Sequence, residues 1–306
     1  MSFSSFRQRI KPWMLPISMV IGLVFYEYIH YIAFLSRPLI FVMLLITYCR
    51  VNLRDFRVGG YIWCLLAVQI LGAIGVYFAL NPINHNLATG AFICVFCPTA
   101  TAAPVITGML GGSVSKVATY SFFSHISVAL LAPALLSYME PEASITFVDS
   151  VSKISITVLP LILGPLVVAL MLQRFAPRVH YDIANHQALS FYIWAVALII
   201  VVGNSVSFLV QQPADKVPEM LLLGLVSLVV CVVLFAVGRR IGGRYGDKIS
   251  GAQSLGQKNT VLAIWLALTY LHPIVSAAPA AYVAWHNTVN SYQIYLHERR
   301  QDTAKK

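Results

Sequence analysis

Long apolar runs separated by short polar stretches dominate the chain, and this pattern predicts membrane-spanning helices. A helix needs roughly 17–25 apolar residues to cross a bilayer. Ten runs of about this length can be drawn, at residues 14–28, 31–48, 60–80, 87–110, 114–138, 151–172, 189–210, 220–237, 249–271 and 273–295. Because Arg37 and Pro38 interrupt the second run, we expect its helix to begin after Arg37. The pattern predicts an all-α polytopic membrane protein with ten transmembrane helices.

Two of the ten runs are interrupted near their middle. The fourth contains Pro98 and Pro104 with only small residues between them, and the ninth contains Gly256 followed by Gln257, Lys258 and Asn259. Proline removes a backbone donor and disturbs the preceding turn. A lysine at mid-span costs about 2.5 kcal/mol or more, so it normally faces protein or a water-filled cavity. Interrupted spans at corresponding places in two halves indicate a transporter binding site.

Each interruption also has a structural explanation. The fourth span fits a simple proline kink with small residues for helix packing, and Lys258 fits a side chain that snorkels to the interface. Counted from the start of its run, however, Lys258 lies roughly 15 Å deep at helical rise. The depth of the lysine and the match between the two breaks favour a functional site.

Charge and composition support the membrane assignment and suggest its orientation. The chain is 58% hydrophobic and only 10% charged, against about 25% charged for soluble domains. Seventeen Lys and Arg residues fall on one side of the predicted spans and only three, Arg37, Lys153 and Lys216, on the other. This bias predicts a multi-pass plasma-membrane protein with both termini in the cytoplasm. The net charge of +10 is therefore a topology signal, and we expect the lipid bilayer, not nucleic acid, as a partner.

Ten spans divide into five plus five, and an odd number per half gives the second half the opposite orientation. We therefore predict two inverted five-helix repeats, residues 1–138 and 139–306, in which the interrupted spans are helices 4 and 9. Identity between the halves is weak, so the repeat is inferred from spacing and from the two breaks.

No pattern predicts an enzyme, a cofactor or a metal site. The loops are short, and no paired carboxylates, metalloprotease motif or phosphate loop is present. Cys94 and Cys97 form an isolated C-x-x-C inside an apolar run, which favours packing. Gln69 in the third span and Ser121 in the fifth fit hydrogen bonds between helices. His286 fits a buried core residue and a site residue equally well.

Three motifs together resemble the bile acid:sodium symporter family in its bacterial form. Residues 96–105, FCPTATAAPV, resemble the family's C-C-P-G-G-T-A-S-N-V. Residues 254–259, SLGQKN, resemble its E-V-G-M-Q-N, and residues 285–287 match a W-H-N in the tenth span. The resemblance implies a core domain of spans 3–5 and 8–10, in which broken helices 4 and 9 cross. Spans 1, 2, 6 and 7 would form a panel domain.

The resemblance also implies alternating-access transport of an organic anion, such as a bile acid, a keto acid or a vitamin precursor. The anion would bind beside the crossing. By match, Thr101 and Asn259 line that site, and His286 and Asn287 lie nearby.

The chain departs from the family at the residues that would bind sodium. A serine–asparagine pair is replaced by Ala103 and Pro104, the bridging glutamate by Ser254, and a glutamine by Lys258. Of the matched ligands, only Gln69 and Ser121 retain side-chain oxygens. We therefore predict transport without sodium, with the Lys258 ammonium in place of the ion and donating hydrogen bonds to the carbonyls exposed by the break in the fourth span. The alternatives are a proton- or sodium-coupled symporter of the same fold, with Lys258 or His286 carrying a proton, and a channel or receptor.

Overall fold

The computed structural model describes residues 14–49, 59–100, 102–141, 146–185, 187–211 and 213–304. These residues form α-helices joined by short turns and 3-10 segments. The helices are α1 (Met14–Val24), α2 (Tyr26–Ile29), α3 (Ser36–Cys49), α4 (Gly60–Leu80), α5 (His85–Phe96), α6 (Ala103–Met109), α7 (Val114–Met139), α8 (Phe147–Phe175), α9 (Pro177–Asn185), α10 (Gln187–Val210), α11 (Val217–Arg244), α12 (Lys248–Gly256), α13 (Thr260–Tyr270) and α14 (Ala277–Ala304).

Five helical segments in the described part of the chain are long and apolar enough to cross a membrane. They are Tyr26–Ile46, Gly60–Leu80, Val114–Met139, Phe147–Phe175 and Ala214–Arg244. Three shorter apolar helices accompany them, at His85–Phe96, Ala195–Ser207 and Thr260–Tyr270. Two of these three belong to the interrupted spans, whose halves are too short to cross alone: the 12 residues of α5 extend only about 18 Å at 1.5 Å per residue.

The structure differs from the sequence prediction between the first two runs. We expected a connection near residues 29–30 and a second helix starting after Arg37. The α-helix α3 does start close to Arg37, at Ser36, but the residues before it form a 3-10 helix, His30–Leu35, that continues α2. No glycine, proline, asparagine or aspartate occurs between Phe25 and Ser36 to stop the helix. Residues 26–46 are consequently one candidate span by length and composition.

Both interrupted runs are broken, as the sequence predicted. In the fourth, α5 ends at Phe96 and α6 begins at Ala103; in the ninth, α12 ends at Gly256 and α13 begins at Thr260. Pro98 lies in the first break. Pro104, which we also assigned to the break, instead occupies the first turn of α6, where proline is tolerated because that N–H has no helical partner.

From the sequence alone, Gly251 and Gly256 are expected to loosen the helix of the ninth span; α12 does end at Gly256, and both glycines also allow close packing. Neither Gly251 nor Gly256 has a positive φ angle. A Cβ at Gly251 would collide with the carbonyl oxygen of Gly238 and approach Gly242 Cα to 2.7 Å. A Cβ at Gly256 would collide with the Phe235 ring. These small residues therefore let the backbones of α12 and α11 come into direct contact.

Polar contacts show which helix ends lie together. At one end, the Asn86 amide of α5 donates to Glu219 of α11 at 2.8 Å, and His85 lies 3.1 Å from Glu140 after α7. At the opposite end, the Ser113 N–H before α7 donates to Asp247 at 2.9 Å. Helices α5 and α12 therefore start at opposite ends of the molecule and run toward each other.

The helices pack in two groups. In the first group, α10 packs against α1, α2 and α3, and α3 also packs against α8. In the second group, α11 packs against α5, α12 and α14, and α4 packs against α5. Contacts of α7 with α8 and of α10 with α13 connect the two groups. The two broken runs, α5–α6 and α12–α13, belong to the second group.

Candidate functional site

The two breaks meet and satisfy each other's backbone. The Asn259 N–H donates to the Pro98 carbonyl at 2.7 Å, and the Ala100 N–H donates to the Gln257 carbonyl at 3.0 Å. Thr99 and Lys258 face each other in this short antiparallel pairing. Backbone groups released from a helix in an apolar environment must find such partners. We call this pairing of residues 98–100 with residues 257–259 the crossing.

Lys258 places its ammonium against the end of α5. The side chain is 1% exposed, and Nζ donates to the carbonyl oxygens of Val95 at 2.7 Å and Cys97 at 3.0 Å. Both carbonyls lie where the helical hydrogen bonds stop, so they are free to accept. Among the described residues, no carboxylate forms an ion pair with Lys258. The charge is therefore held by backbone dipoles alone.

Gln69 of α4 reaches the same break from the other side. Its Nε2 donates to the Phe96 carbonyl at 2.6 Å, with a longer contact of 3.4 Å to Cys97. Its Oε1 accepts from Tyr120 at 2.6 Å and from Ser124 at 2.7 Å. Two hydroxyl donors on α7 thus hold the amide oxygen on the side of α7, so that the NH₂ group points to the broken end of α5.

The other half of the crossing is fixed by three hydrogen bonds that involve four hydroxyl groups. Thr99 Oγ1 donates to the Ser254 carbonyl at 2.8 Å, and Ser254 Oγ lies 3.2 Å from the Tyr61 hydroxyl. The Tyr282 hydroxyl of α14 donates to the Gly256 carbonyl at 2.8 Å. Helices α4 and α14 therefore hold the broken ninth run from two directions.

Several buried polar atoms, at the crossing and on α14, have no hydrogen-bond partner within the described structure. They are Gln257 Oε1, Asn259 Nδ2, Thr260 Oγ1, His286 Nδ1 and Asn287 Nδ2. Asn259 uses only its Oδ1, which accepts from the Leu262 N–H at 3.2 Å and caps α13. An unsatisfied buried donor or acceptor costs about 1–3 kcal/mol. A polar ligand that reaches these atoms would recover that energy.

The residues at the crossing do not fit a sodium ion at the position of the Lys258 ammonium. Hard cations need several oxygen ligands, usually with carboxylates among them. Here the carbonyls of Val95, Phe96 and Cys97 already accept from Lys258 or Gln69. Gln69 presents its amide nitrogen, and Ser254 has no charge. We therefore assign no step of the mechanism to sodium.

The predicted site residues occupy different positions around the crossing. Lys258, Gln257, Asn259, Ser254 and Gln69 lie at it, and His286 is one turn beyond Tyr282, with ring centroids 5.6 Å apart. Ala103 and Pro104 are buried at the start of α6. Ser121 contacts His125 at 3.4 Å and makes no hydrogen bond to the crossing. Thr101 lies outside the described residues.

A cavity of about 400 Å³ opens away from the crossing, between α13 and the first packing group. Its polar lining includes Arg37 and Asn204, and its aromatic lining includes Phe34 and Trp265. Sequence reasoning did not select these residues. We counted Arg37 only as a loop charge, although an arginine inside an apolar run was the available signal. Trp265 and Asn204 carried no pattern that separated them from packing residues.

Comparison with known proteins gives one distant relative that bears on function. No family model matches the chain. The relative is an uncharacterized sodium-dependent transporter, YocS, of Bacillus subtilis (strain 168), with 22% identity over 234 residues, which cover 73% of this chain and 68% of that protein. Together with the five candidate spans, this likeness supports a multi-pass membrane protein of the transporter class.

Proposed function

We propose that this protein is a secondary transporter for a small or amphipathic organic anion, that it works by alternating access, and that it does not use sodium. The observation that carries the proposal is the buried Lys258 ammonium bound to carbonyls where two broken helices meet. A fixed positive charge of this kind in a water-poor site favours an anionic ligand.

The unsatisfied polar atoms give the anion specific partners. Asn259 Nδ2 and Asn287 Nδ2 are free donors, and His286 Nδ1 adds a third nitrogen whose role depends on its tautomer. In this proposal the substrate is bound by Asn259, His286, Asn287 and Thr101. Lys258 holds the two halves of the crossing together through its hydrogen bonds. Ser254, Gln257 and Gln69 stabilise the same contact between the two broken helices.

The two packing groups support a panel and a core that move relative to each other. The second group contains the crossing and would be the core, and the first group would be the panel. Helices α5 and α12 enter the crossing from opposite ends, as inverted repeats require. Ten spans in two inverted repeats, with residues 1–138 and 139–306 as halves, therefore remain our proposed topology.

Sodium coupling separates this proposal from its alternatives. The relative is named a sodium-dependent transporter, whereas in our proposal the Lys258 ammonium takes the place of the cation. Coupling to protons is the second candidate, since Lys258 is a titratable cation at the crossing that no described carboxylate balances. A channel or receptor would give currents or binding without saturable uptake.

The test is uptake into proteoliposomes with sodium replaced by choline. A thermal-shift screen against organic acids first selects a substrate, because a ligand of the native state raises the melting temperature. We expect saturable uptake that sodium does not change and that Lys258→Met abolishes. Lys116→Met is the matched control, since Lys116 also donates to a carbonyl, that of Tyr245 at 3.1 Å, but in an exposed position.

Three results would count against parts of the proposal. Strict sodium dependence of uptake by the wild type would refute the hypothesis that the Lys258 ammonium replaces a bound sodium ion. Uptake driven by an imposed pH gradient, and lost in Lys258→Met, would select the proton-coupled alternative. Single-channel currents without saturable uptake would remove the transporter class altogether.

A further inference from the structure

The cavity of about 400 Å³ lies between the two packing groups and holds a positive charge of its own. Arg37, at the start of α3, and Asn204, in α10, come from the first group, and Trp265 and Thr269, in α13, come from the second. The Arg37 guanidinium carbon lies 5.7 Å from the centre of the Trp265 ring. A contact within about 6 Å is in the range of a cation–π interaction.

The Arg37 guanidinium has no acidic partner in the part of the chain that the structure describes. A guanidinium presents a planar fork of donors that matches a carboxylate. The Trp265 ring lies on one side of the guanidinium, and Arg37 also lines the cavity. A carboxylate placed there would gain two charge-assisted hydrogen bonds.

The remaining lining indicates what the rest of the ligand is like. Phe34, Trp265 and Leu268 give apolar walls, while the Asn204 amide adds a polar group. The volume is near the lower end of the roughly 300–1,000 Å³ usual for ligand pockets. The cavity therefore suits a small carboxylate with a short apolar body better than a large amphipathic one.

We propose that this cavity is a second anion subsite, in which Arg37 binds the carboxylate while Phe34 and Trp265 hold the apolar part. The inference rests on the proposed transport function and adds a stage before the crossing. Trp265 follows Lys258 by seven residues along the chain, roughly 10 Å at helical rise. The basic asymmetry predicts that Arg37 is on the outer side, so this subsite would receive the anion from outside.

The experiment measures binding through Trp265 in the full-length purified protein. The probes are acetate, 2-oxobutyrate, 2-oxoisovalerate and benzoate as choline salts, with the methyl ester of 2-oxoisovalerate as a neutral match. We expect at least one acid to change tryptophan fluorescence saturably, no change with the ester, and loss of the signal in Trp265→Phe. In Arg37→Gln, affinity should fall at least about tenfold, as expected for a lost charge-assisted pair.

Two further variants test whether the binding depends on Arg37 itself or on the total positive charge of this side of the protein. Lys216→Gln removes a basic residue from the same predicted side but outside the cavity, where Lys216 pairs with Glu219 at 3.5 Å, so binding should be unchanged. Arg37→Lys keeps the charge and should recover part of the affinity. Absence of a saturable Trp265 response to every acid, or equal losses in Arg37→Gln and Lys216→Gln, would overturn the subsite.

Uptake of the bound acid distinguishes failure of this subsite from failure of the transport function. If Arg37→Gln transports with unchanged apparent affinity, the subsite is refuted and transport stands. If the wild type binds the acid through Arg37 and does not transport it, the subsite stands and transport is refuted. Equal melting temperatures of the wild type and Arg37→Gln would show that the variant is folded.

Discussion

At Lys258 a charge is buried against carbonyl oxygens alone, and this creates a conflict between stability and function. Removing an ion from water costs several kcal/mol even after the protein relaxes. Hydrogen bonds to Val95 and Cys97 offset part of that cost, but no described carboxylate offsets the rest. A residue retained under such conditions is typical of a functional site.

Lys258→Met should therefore melt at the same or a higher temperature than the wild type while transport is lost. Methionine has similar length and no charge to desolvate, and this gain exceeds the roughly 1–3 kcal/mol cost of leaving the Val95 carbonyl unsatisfied. Cys97 keeps its longer contact with Gln69. Thermal melting in choline chloride, followed by uptake, measures both effects. A fall in melting temperature as large as that of a core truncation would mean that Lys258 is structural.

Sequence patterns predicted the depth of Lys258 and that its ammonium would donate to carbonyls freed by the fourth-span break, but not which carbonyls these are. Depth follows from counting residues along one span. The acceptors at Val95 and Cys97, and the hydroxyls of Tyr120 and Ser124 that orient Gln69, lie on other helices far away in sequence. Which helix faces which depends on packing, and one sequence carries no direct record of it. The same reason explains why Arg37 and Trp265 were not paired in advance.

Asp247 offers a pH-dependent test outside the predicted spans. Partial burial alone would raise its pKa, but hydrogen bonds from Ser250 and Ser113 and the nearby Lys116 ammonium lower the pKa below its usual value. Its carboxylate caps α12 by accepting from the Ser250 N–H at 2.9 Å, and it also accepts from the Ser113 N–H at 2.9 Å. The ionised form thus ties the start of α12 to the start of α7.

Asp247→Asn should lower stability at neutral pH by about 1 kcal/mol, because the amide keeps one acceptor oxygen for the cap and loses the one that accepts from the Ser113 N–H. Because the folded-state pKa is depressed, this contribution is present above the unfolded pKa, near 3.9, and disappears as the pH falls through the lower, folded value. The two proteins should therefore approach the same stability in acid. Melting curves across pH measure this, with the exposed Asp149→Asn as control. A difference independent of pH would show that charge is not involved.

At the scale of elements, breaks were more predictable than their boundaries. Pro98 and the polar triplet after Gly256 identified both interruptions, since each removes or competes for helical hydrogen bonds. Pro104 misled the prediction because proline is also favoured in a first turn. Gly251 misled it because glycine serves flexibility and close packing equally well, and only the neighbouring α11 decides between them.

Gly251→Ala should separate α12 from α11 and disturb the crossing. Its Cβ would meet the Gly238 carbonyl and the Gly242 backbone, which have no flexible side chain that can move aside. We expect a loss of about 1–3 kcal/mol, as for other overpacked sites, together with reduced uptake. Gly75→Ala, also within a helix, meets nothing within 4 Å and should be neutral or slightly stabilising. Equal melting temperatures for the two variants would contradict the proposed packing role.

At the scale of the whole molecule, the strongest sequence signals were hydropathy and the distribution of basic residues. They predicted an all-helical membrane protein, and the helical structure with five candidate spans supports that class. Ten spans do not follow from length and composition alone, because each half of a broken helix is shorter than a span and because a 3-10 helix continues α2 into α3. Contacts between helix ends provide independent information on direction: Asn86 joins Glu219 at one end, and Ser113 joins Asp247 at the other.

These end contacts give a specific prediction for membrane topology. Asn81 and Ala214 should be outside, and Arg244, at the far end of α11, should be inside. In a background with Cys64→Ala, which removes the exposed native thiol, we expect a membrane-impermeant maleimide to label Asn81→Cys and Ala214→Cys in intact cells. Arg244→Cys should react only after permeabilisation, because the other native cysteines among the described residues are buried and give no background. Labelling of Asn81→Cys and Ala214→Cys from opposite sides would refute the five-plus-five arrangement, since α5 and α11 would then start on different faces of the membrane.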